Sequence, residues 1–262
     1  MMTHPLLPKL RQLRLSGMLR TLEARANQAV DRGLSPTEFL ALLLDDELER
    51  RQQNRLLYRM GQAGCNPEKT LAHFDFSAAP GVNRTLILEL ATCTFIGRHE
   101  NVLCCGPAGV GKSHLANALA YEALKRDCRV LVRPTHRLLQ ELQASRAVGT
   151  RSQWLAKALT PDLLVLDDFG LQPLTPNMAQ DLYEIISERY ERGSLVVTSN
   201  RAFEEWGEVF GNELLASAAL DRLTHHAYTI IIRGESYRQR ARRKEVLGQA
   251  PTSPAESHPQ SN

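Results

Sequence analysis

No apolar run in this chain approaches the roughly 18 residues that a membrane-spanning helix needs, and the N-terminus carries scattered arginines where a secretory signal would have an apolar core. A spanning or secreted protein is therefore not expected. The five cysteines (Cys65, Cys93, Cys104, Cys105 and Cys128) are odd in number and contain no Cys-x-x-Cys spacing. That argues against a disulfide framework or a thiolate metal site, and for small apolar core residues in a reduced, cytoplasmic protein. Net charge is also small: 32 basic against 29 acidic residues give +3, too little to identify a nucleic-acid partner by itself. There is no internal repeat. With 43% hydrophobic and 23% charged residues in 262, the composition is that of an ordinary globular chain. The length suits one large α/β domain with a smaller appendage.

Against these absences stands one dense motif. Gly106-Pro107-Ala108-Gly109-Val110-Gly111-Lys112-Ser113 satisfies the phosphate-loop pattern G-x-x-x-x-G-K-[ST] at every fixed position. Asn101–Cys105 reads as a buried strand entering the loop. His114–Arg126 reads as a helix leaving it, with Leu115, Ala116, Leu119, Ala120, Ala123 and Leu124 on one face. Glycines allow several backbone N–H groups to converge on one anion, and the helix dipole favours negative charge there. Lys112 is expected to reach the β- and γ-phosphates of ATP, and the Ser113 hydroxyl to hold Mg²⁺.

About 55 residues after Lys112, Leu163-Leu164-Val165-Leu166-Asp167-Asp168 has the form of an apolar strand ending in two carboxylates. Asp167 suits the Mg²⁺ shell. Asp168 is placed to orient or deprotonate water. Thr198-Ser199-Asn200 ends the next apolar strand, where the Asn200 amide could position water near the γ-phosphate.

Residues 1–65 read as a separate helical module. Leu15, Met18, Leu19, Leu22 and Ala26 share one helix face, and Gly33 ends that helix. Ser35-Pro36-Thr37-Glu38 forms a capping box. Phe39, Leu40, Leu43, Leu44 and Leu48 form the next apolar face, with Asp46/Arg50 and Glu47/Arg51 as charge pairs on the other side, and a break at Gly61 and Gly64. So small a helix pair has little core of its own, which points to packing on the next domain or to oligomerisation or partner docking. Residues 66–81, with Phe74-Asp75-Phe76, read as a linker. A helix over Val82–Ile96 is expected before the first strand.

From there, strands at 129–132, 163–166, 195–198 and 228–232 alternate with helices, including 136–145, 152–159 and one that Thr175-Pro176 starts and Gly193 ends. This gives an α/β domain over 82–248, a parallel sheet sandwiched by helices. The Pro- and Ser-rich tail 249–262 is expected to be disordered. Residues 238–244 carry five positive charges and no negative one, which suits a solvated helix end or a phosphate-facing patch.

The phosphate loop, the His114-Leu115-Ala116 that follows Ser113, the Asp167-Asp168 pair, the Asn200 strand end, Asp221-Arg222-Leu223 and Gly234-Glu235-Ser236-Tyr237-Arg238 together resemble AAA+ P-loop ATPases of the IstB/DnaC group. The likeness runs from about residue 70 to 245, and the helical front end resembles the IstB side. The resemblance implies a helper ATPase of an insertion sequence. It would assemble with ATP as a homo-oligomer on double-stranded DNA and direct a partner transposase to its target. DnaC-like relatives instead load a replicative helicase, which is the alternative. A nucleotide-gated scaffold without turnover is a third.

By the same resemblance, Asn200 corresponds to sensor 1 and Arg222 to an arginine finger reaching the neighbouring subunit's nucleotide. Arg238 corresponds to sensor 2 and has a competing place in the basic patch. His114 falls within the nucleotide-binding segment. Asp168 stands where many AAA+ proteins carry Glu, which could make hydrolysis slow. Relatives place the helices at 136–160 along the bore of a filament, so Arg137, Arg146, Arg151 and Lys157 are candidate phosphate contacts without base specificity. Trp154 is expected in the core.

Overall fold

The computed structural model describes residues 5–79, 81–234 and 236–237. Arg238, the basic run 238–244 and the tail lie outside the described residues. The chain divides into two compact units between Ala63 and Gly64.

Among the described residues the first unit holds three helices: α1 (Leu6–Gln12), α2 (Ser16–Arg32) and α3 (Pro36–Ala63). Helix α2 stops because Gly33 adopts φ 63°, a left-handed cap open to glycine at little cost. The capping box then starts α3: the Ser35 amide donates to Glu38 Oε2 at 2.8 Å, and the Glu38 amide donates to Ser35 Oγ at 3.3 Å. Met18, Leu22 and Leu43 form the small core, flanked by Leu7, Leu10, Leu15 and Phe39.

Close approach of α2 and α3 depends on Gly17, where a Cβ would lie 2.5 Å from the Asp46 carbonyl oxygen. The Gly17 amide instead donates to the buried Glu47 carboxylate at 2.6 Å. Arg25 clamps Asp46 bidentately at 2.6 and 2.9 Å.

Three expectations change here. Asp46 pairs across to Arg25 while Arg50 turns to Ser16 Oγ; only Glu47–Arg51 forms as an i,i+4 pair. Leu40, Leu44 and Leu48 are exposed, so the apolar face of α3 is narrower than its leucine content suggests. Helix α3 also continues through Gly61, because one helical glycine costs only about 1 kcal/mol.

The second unit holds a five-stranded parallel sheet in the order β2-β3-β4-β1-β5. Its strands are β1 (Asn101–Cys105), β2 (Val130–Pro134), β3 (Leu163–Phe169), β4 (Ser194–Ser199) and β5 (Ala227–Ile231). Helices α4 (Arg84–Leu90) and α5 (Thr94–Gly97) precede β1. The single helix expected over 82–96 is divided at Cys93, whose φ of 64° is left-handed. Helix α6 (Lys112–Lys125) follows β1; α7 (Thr135–Ala147) and α8 (Arg151–Leu159) follow β2; α9 (Pro176–Arg189) follows β3; α10 (Trp206–Phe210) and α11 (Glu213–Thr224) follow β4.

All five residues of β1 are buried, as a central parallel strand requires. All five cysteines are free. Cys104 and Cys105 are core residues whose thiols burial pushes up to about 12 and about 11.

Two buried polar side chains fix the amino edge of the sheet. Asn101 donates to the Leu223 carbonyl at 3.1 Å and accepts from the Leu195 amide at 2.9 Å, joining β1 to β4 and to α11. Arg189, 2% exposed, donates to the carbonyls of Ala158, Leu159, Pro161, Asp162 and Ser194.

The Arg25 clamp gives the first unit a definite acid response. It lowers the Asp46 pKa from 3.8 to about 2. A carboxylate depressed in the folded state contributes fully above its unfolded pKa and loses that contribution as pH falls through the folded one. The first unit therefore loses stability between about pH 4 and pH 2. Asp46→Asn is expected to flatten thermal unfolding against pH in that window, measured by circular dichroism.

Candidate functional site

Strand β1 lies between β4 and β5, so the loop after it opens at the carboxyl edge of the sheet beside the ends of β3, β4 and β5. Parallel α/β sheets hold ligands at such an edge. A cavity of about 500 Å³ lies there, lined by the phosphate loop, Asp168, Asn200 and the segment after β5.

Backbone bonds hold the loop from both sides. Gly106 N–H donates to the Ser199 carbonyl, Ile232 N–H to the Cys105 carbonyl, and Tyr237 N–H to the Gly109 carbonyl. Gly106 (φ 150°) and Gly111 (φ 102°) need to be glycine for space as well as torsion. A Cβ at Gly106 would sit 2.2 Å from the Ile232 carbonyl oxygen, and one at Gly111 would sit 2.8 Å from the Phe74 ring.

Lys112 opens α6 and is buried. Its ammonium donates to the carbonyls of Gly106 and Pro107 at 2.8 and 2.6 Å. These two residues thus meet Lys112 through their carbonyls, while Ala108, Gly109, Val110, Gly111, Lys112, Ser113 and His114 line the cavity. Burial lowers the Lys112 pKa, opposed by the charges of Asp168 and Asp167.

The two carboxylates are set by one hydroxyl. Thr198 Oγ1 donates to Asp167 Oδ1 at 2.5 Å and accepts from the Asp168 amide at 3.0 Å. The β3–β4 register shifts between Leu166 and Phe169, and Asp168 takes φ 54°. Successive acids on a regular strand would face opposite sides; here the left-handed step turns Asp168 to the main cavity. Asp167 instead lines a neighbouring cavity of about 160 Å³ together with Ser113. A serine hydroxyl and a carboxylate at one small cavity are oxygen donors of the kind Mg²⁺ takes. Asn200 is exposed at the end of β4 and lines the main cavity with Asp168.

The segment 66–79 is part of this site, contrary to its reading as a linker. Asn117 on α6 bonds the Asn66 amide and the carbonyls of Asn66 and Lys69. His114 Nε2 lies 2.8 Å from the Thr70 carbonyl oxygen, and its ring meets Phe74 edge-on with centroids 5.3 Å apart. His114 therefore anchors this segment, in addition to bordering the cavity. Sequence reasoning passed over Phe74, Lys69, Arg233 and Tyr237 as cavity residues. The signals were Phe74-Asp75-Phe76, in which Asp75 caps a 3-10 turn, and the Gly234–Arg238 motif that contains Tyr237.

Arg222, on α11, does not line this cavity. Its Nη1 donates to the Ala218 carbonyl at 2.8 Å, and its guanidinium lies 5.6 Å from the Tyr183 ring centroid.

The candidate DNA contacts divide into two pairs. Arg137 is exposed and pairs loosely with Glu141 at 3.3 Å, and Lys157 is exposed over the Trp154 ring. Trp154 packs partly buried against the core. Arg146 and Arg151 instead converge on the fully buried Asp181 of α9 at 2.5 and 2.7 Å, and Arg151 also bonds Glu184. Both are paired with acids some 30 residues away in sequence, and Arg146 remains exposed beside its pair.

The IstB-like ATP binding protein family matches residues 8–245. An insertion sequence IS21 protein of Pseudomonas aeruginosa, named for ATP binding, is 38% identical over 241 residues, 92% of this chain and 91% of its own length. A Mycobacterium tuberculosis insertion sequence protein, also named for ATP binding, is 38% identical over 234 residues, 89% of this chain and 93% of its own. Among solved structures, DnaI superposes with a TM-score of 0.55 at 24% identity, covering 63% of this chain and 90% of DnaI. Domain III of Thermotoga maritima DnaA gives 0.55 at 19%, covering 72% and 78%. These structures share the AAA+ P-loop fold. With the phosphate loop, the paired carboxylates and this sheet order in place, the chain belongs to the IstB-like ATP-binding family of insertion-sequence proteins.

Proposed function

We propose that this protein is an Mg²⁺-dependent ATPase that assembles on double-stranded DNA and assists an insertion-sequence transposase in choosing its target. The observation that carries the reading is the division of the site. One copy presents the phosphate loop, Asp168 and Asn200 around one cavity, with Asp167 and Ser113 at its neighbour, while Arg222 lies outside both. In this reading a second copy adds Arg222 to the cations, Lys112 among them, that the first copy already brings to the cavity. The insertion-sequence relatives favour this function over helicase loading.

In the proposed cycle the loop amides and Lys112 bind the phosphates. Ser113 and Asp167 would hold Mg²⁺, which when bound neutralises charge on the β- and γ-oxygens. The Asp168 carboxylate accepts the proton of the attacking water and Asn200 orients that water. Arg222 from the adjacent copy stabilises charge on the transferring group. ATP binding thereby closes the contact between copies and builds the oligomer on DNA; hydrolysis releases it. Arg238 remains a proposed nucleotide contact.

Lys112→Ala is expected to weaken ATP binding by about 100-fold or more, as loss of a charge-assisted phosphate contact implies. Asp168→Asn is expected to bind ATP normally, to hydrolyse it about 10²–10⁴ times more slowly and to trap the oligomer. Titration with a fluorescent nucleotide and phosphate release read the two effects. Normal assembly of Lys112→Ala on DNA would falsify the ATP switch.

Arg222→Ala is expected to keep ATP affinity and to lose about 10³-fold or more in turnover. Mixing it with Lys112→Ala should restore activity, because one partner retains a working loop and the other an intact arginine. If mixtures stay at the sum of the separate rates, Arg222 does not act between subunits.

Arg137 and Lys157 are proposed as phosphate contacts, and each should contribute about 0.9 to the slope of log affinity against log salt. The double alanine variant is expected to reduce that slope by nearly two on duplexes of any sequence, measured by fluorescence anisotropy. An unchanged slope places the DNA elsewhere.

A further inference from the structure

We infer that Glu191, His225 and His226 form a binding site for a divalent transition-metal ion, Zn²⁺ by their donor chemistry, on the sheet edge opposite the ATP cavity. The topology assembles it. Strands β4, β1 and β5 are neighbours, so the turns entering them lie side by side at the amino edge. The turn before β4 brings Tyr190 and Glu191, the turn before β1 brings His99, and the turn between α11 and β5 brings His225 and His226. All five residues border one small cavity.

Donor atoms of Glu191, His225 and His226 lie within 4.8 Å of one another. Tetrahedral zinc with bonds of about 2.0–2.2 Å sets its ligands roughly 3.4 Å apart. The three side chains are exposed, so small rotations close the remaining distance without disturbing the core. Two imidazoles and a carboxylate are borderline donors that suit Zn²⁺ and not Mg²⁺ or Ca²⁺.

The surroundings resemble those of a prepared site. The Tyr190 hydroxyl lies 2.7 Å from His225 Nδ1, fixing that ring and leaving Nε2 for the ion, as outer hydrogen bonds do for metal-bound histidines. The His225 and His226 ring centroids are 3.9 Å apart. His99, Glu191 and His226 all adopt left-handed backbone, with φ of 56°, 57° and 56°, a conformation uncommon for residues other than glycine. Each turn thus presents its side chain from a defined backbone geometry. Arg222 borders the same cavity three residues before His225. A bound ion would brace the end of the helix that carries it, and the Glu191 carboxylate offsets the neighbouring cation.

The test is calorimetric titration of untagged, nucleotide-free protein with Zn²⁺, repeated with Co²⁺ to read the visible band of a tetrahedral nitrogen–oxygen site. One ion per chain, with affinity lowered at least about 30-fold in His225→Ala/His226→Ala and about 10-fold in Tyr190→Phe, is the expected result. Retained nucleotide binding in each variant checks its fold. Cys128→Ser is expected to bind as the parent does. The assignment is overturned if the parent protein takes up no ion, if the double variant binds like the parent, or if binding disappears with Cys128.

Discussion

Everything at the phosphate-loop cavity depends on the grip that β4 and β5 exert on β1. The Ser199 carbonyl takes the Gly106 amide, and the Cys105 carbonyl takes the Ile232 amide. The strand end is therefore clamped on both sides just where the glycine loop departs. Cost-free positive torsions at Gly106 and Gly111 let the backbone turn there, and neighbouring atoms leave no room for a side chain. A loop so held presents its amides in a fixed arrangement, which is what electrostatic preorganisation toward a phosphate requires.

Much of this was legible in the sequence because the signals were local. The phosphate loop declares itself through glycine spacing and Lys112, and the buried strands through short apolar runs. The capping box at Ser35–Glu38 and the glycine stop at Gly33 also depend only on near neighbours. What escaped depends on distant partners. The turn of Asp168 relative to Asp167 depends on the Thr198 hydroxyl of another strand. The part played by residues 66–79 depends on Asn117 and His114 of α6. Their polar, turn-rich composition resembles that of a linker because the groups that order them lie some 50 residues away.

The α7–α8 pair illustrates the same limit in charge. Arg137, Arg146, Arg151 and Lys157 look equivalent as a basic helical stripe. Packing against α9 separates them, since Asp181 is fully buried and binds two guanidinium groups. A buried carboxylate without such partners would be strongly unfavourable. Two of the four cations thus join the insert to α9, Arg146 while still exposed, and the other two make no bond to that helix among the described residues.

Arg189 carries a consequence for how freely this chain can vary. Its guanidinium gathers carbonyls from the end of α8, the turn into β3 and the start of β4, at the sheet edge opposite the phosphate-loop cavity. A lysine offers three donors from one point and cannot span that fan, and an apolar replacement would strand five acceptors in the interior. Substitution there is expected to be costly although the residue lies outside the phosphate-loop cavity, so invariance at this position would mark architecture and not chemistry.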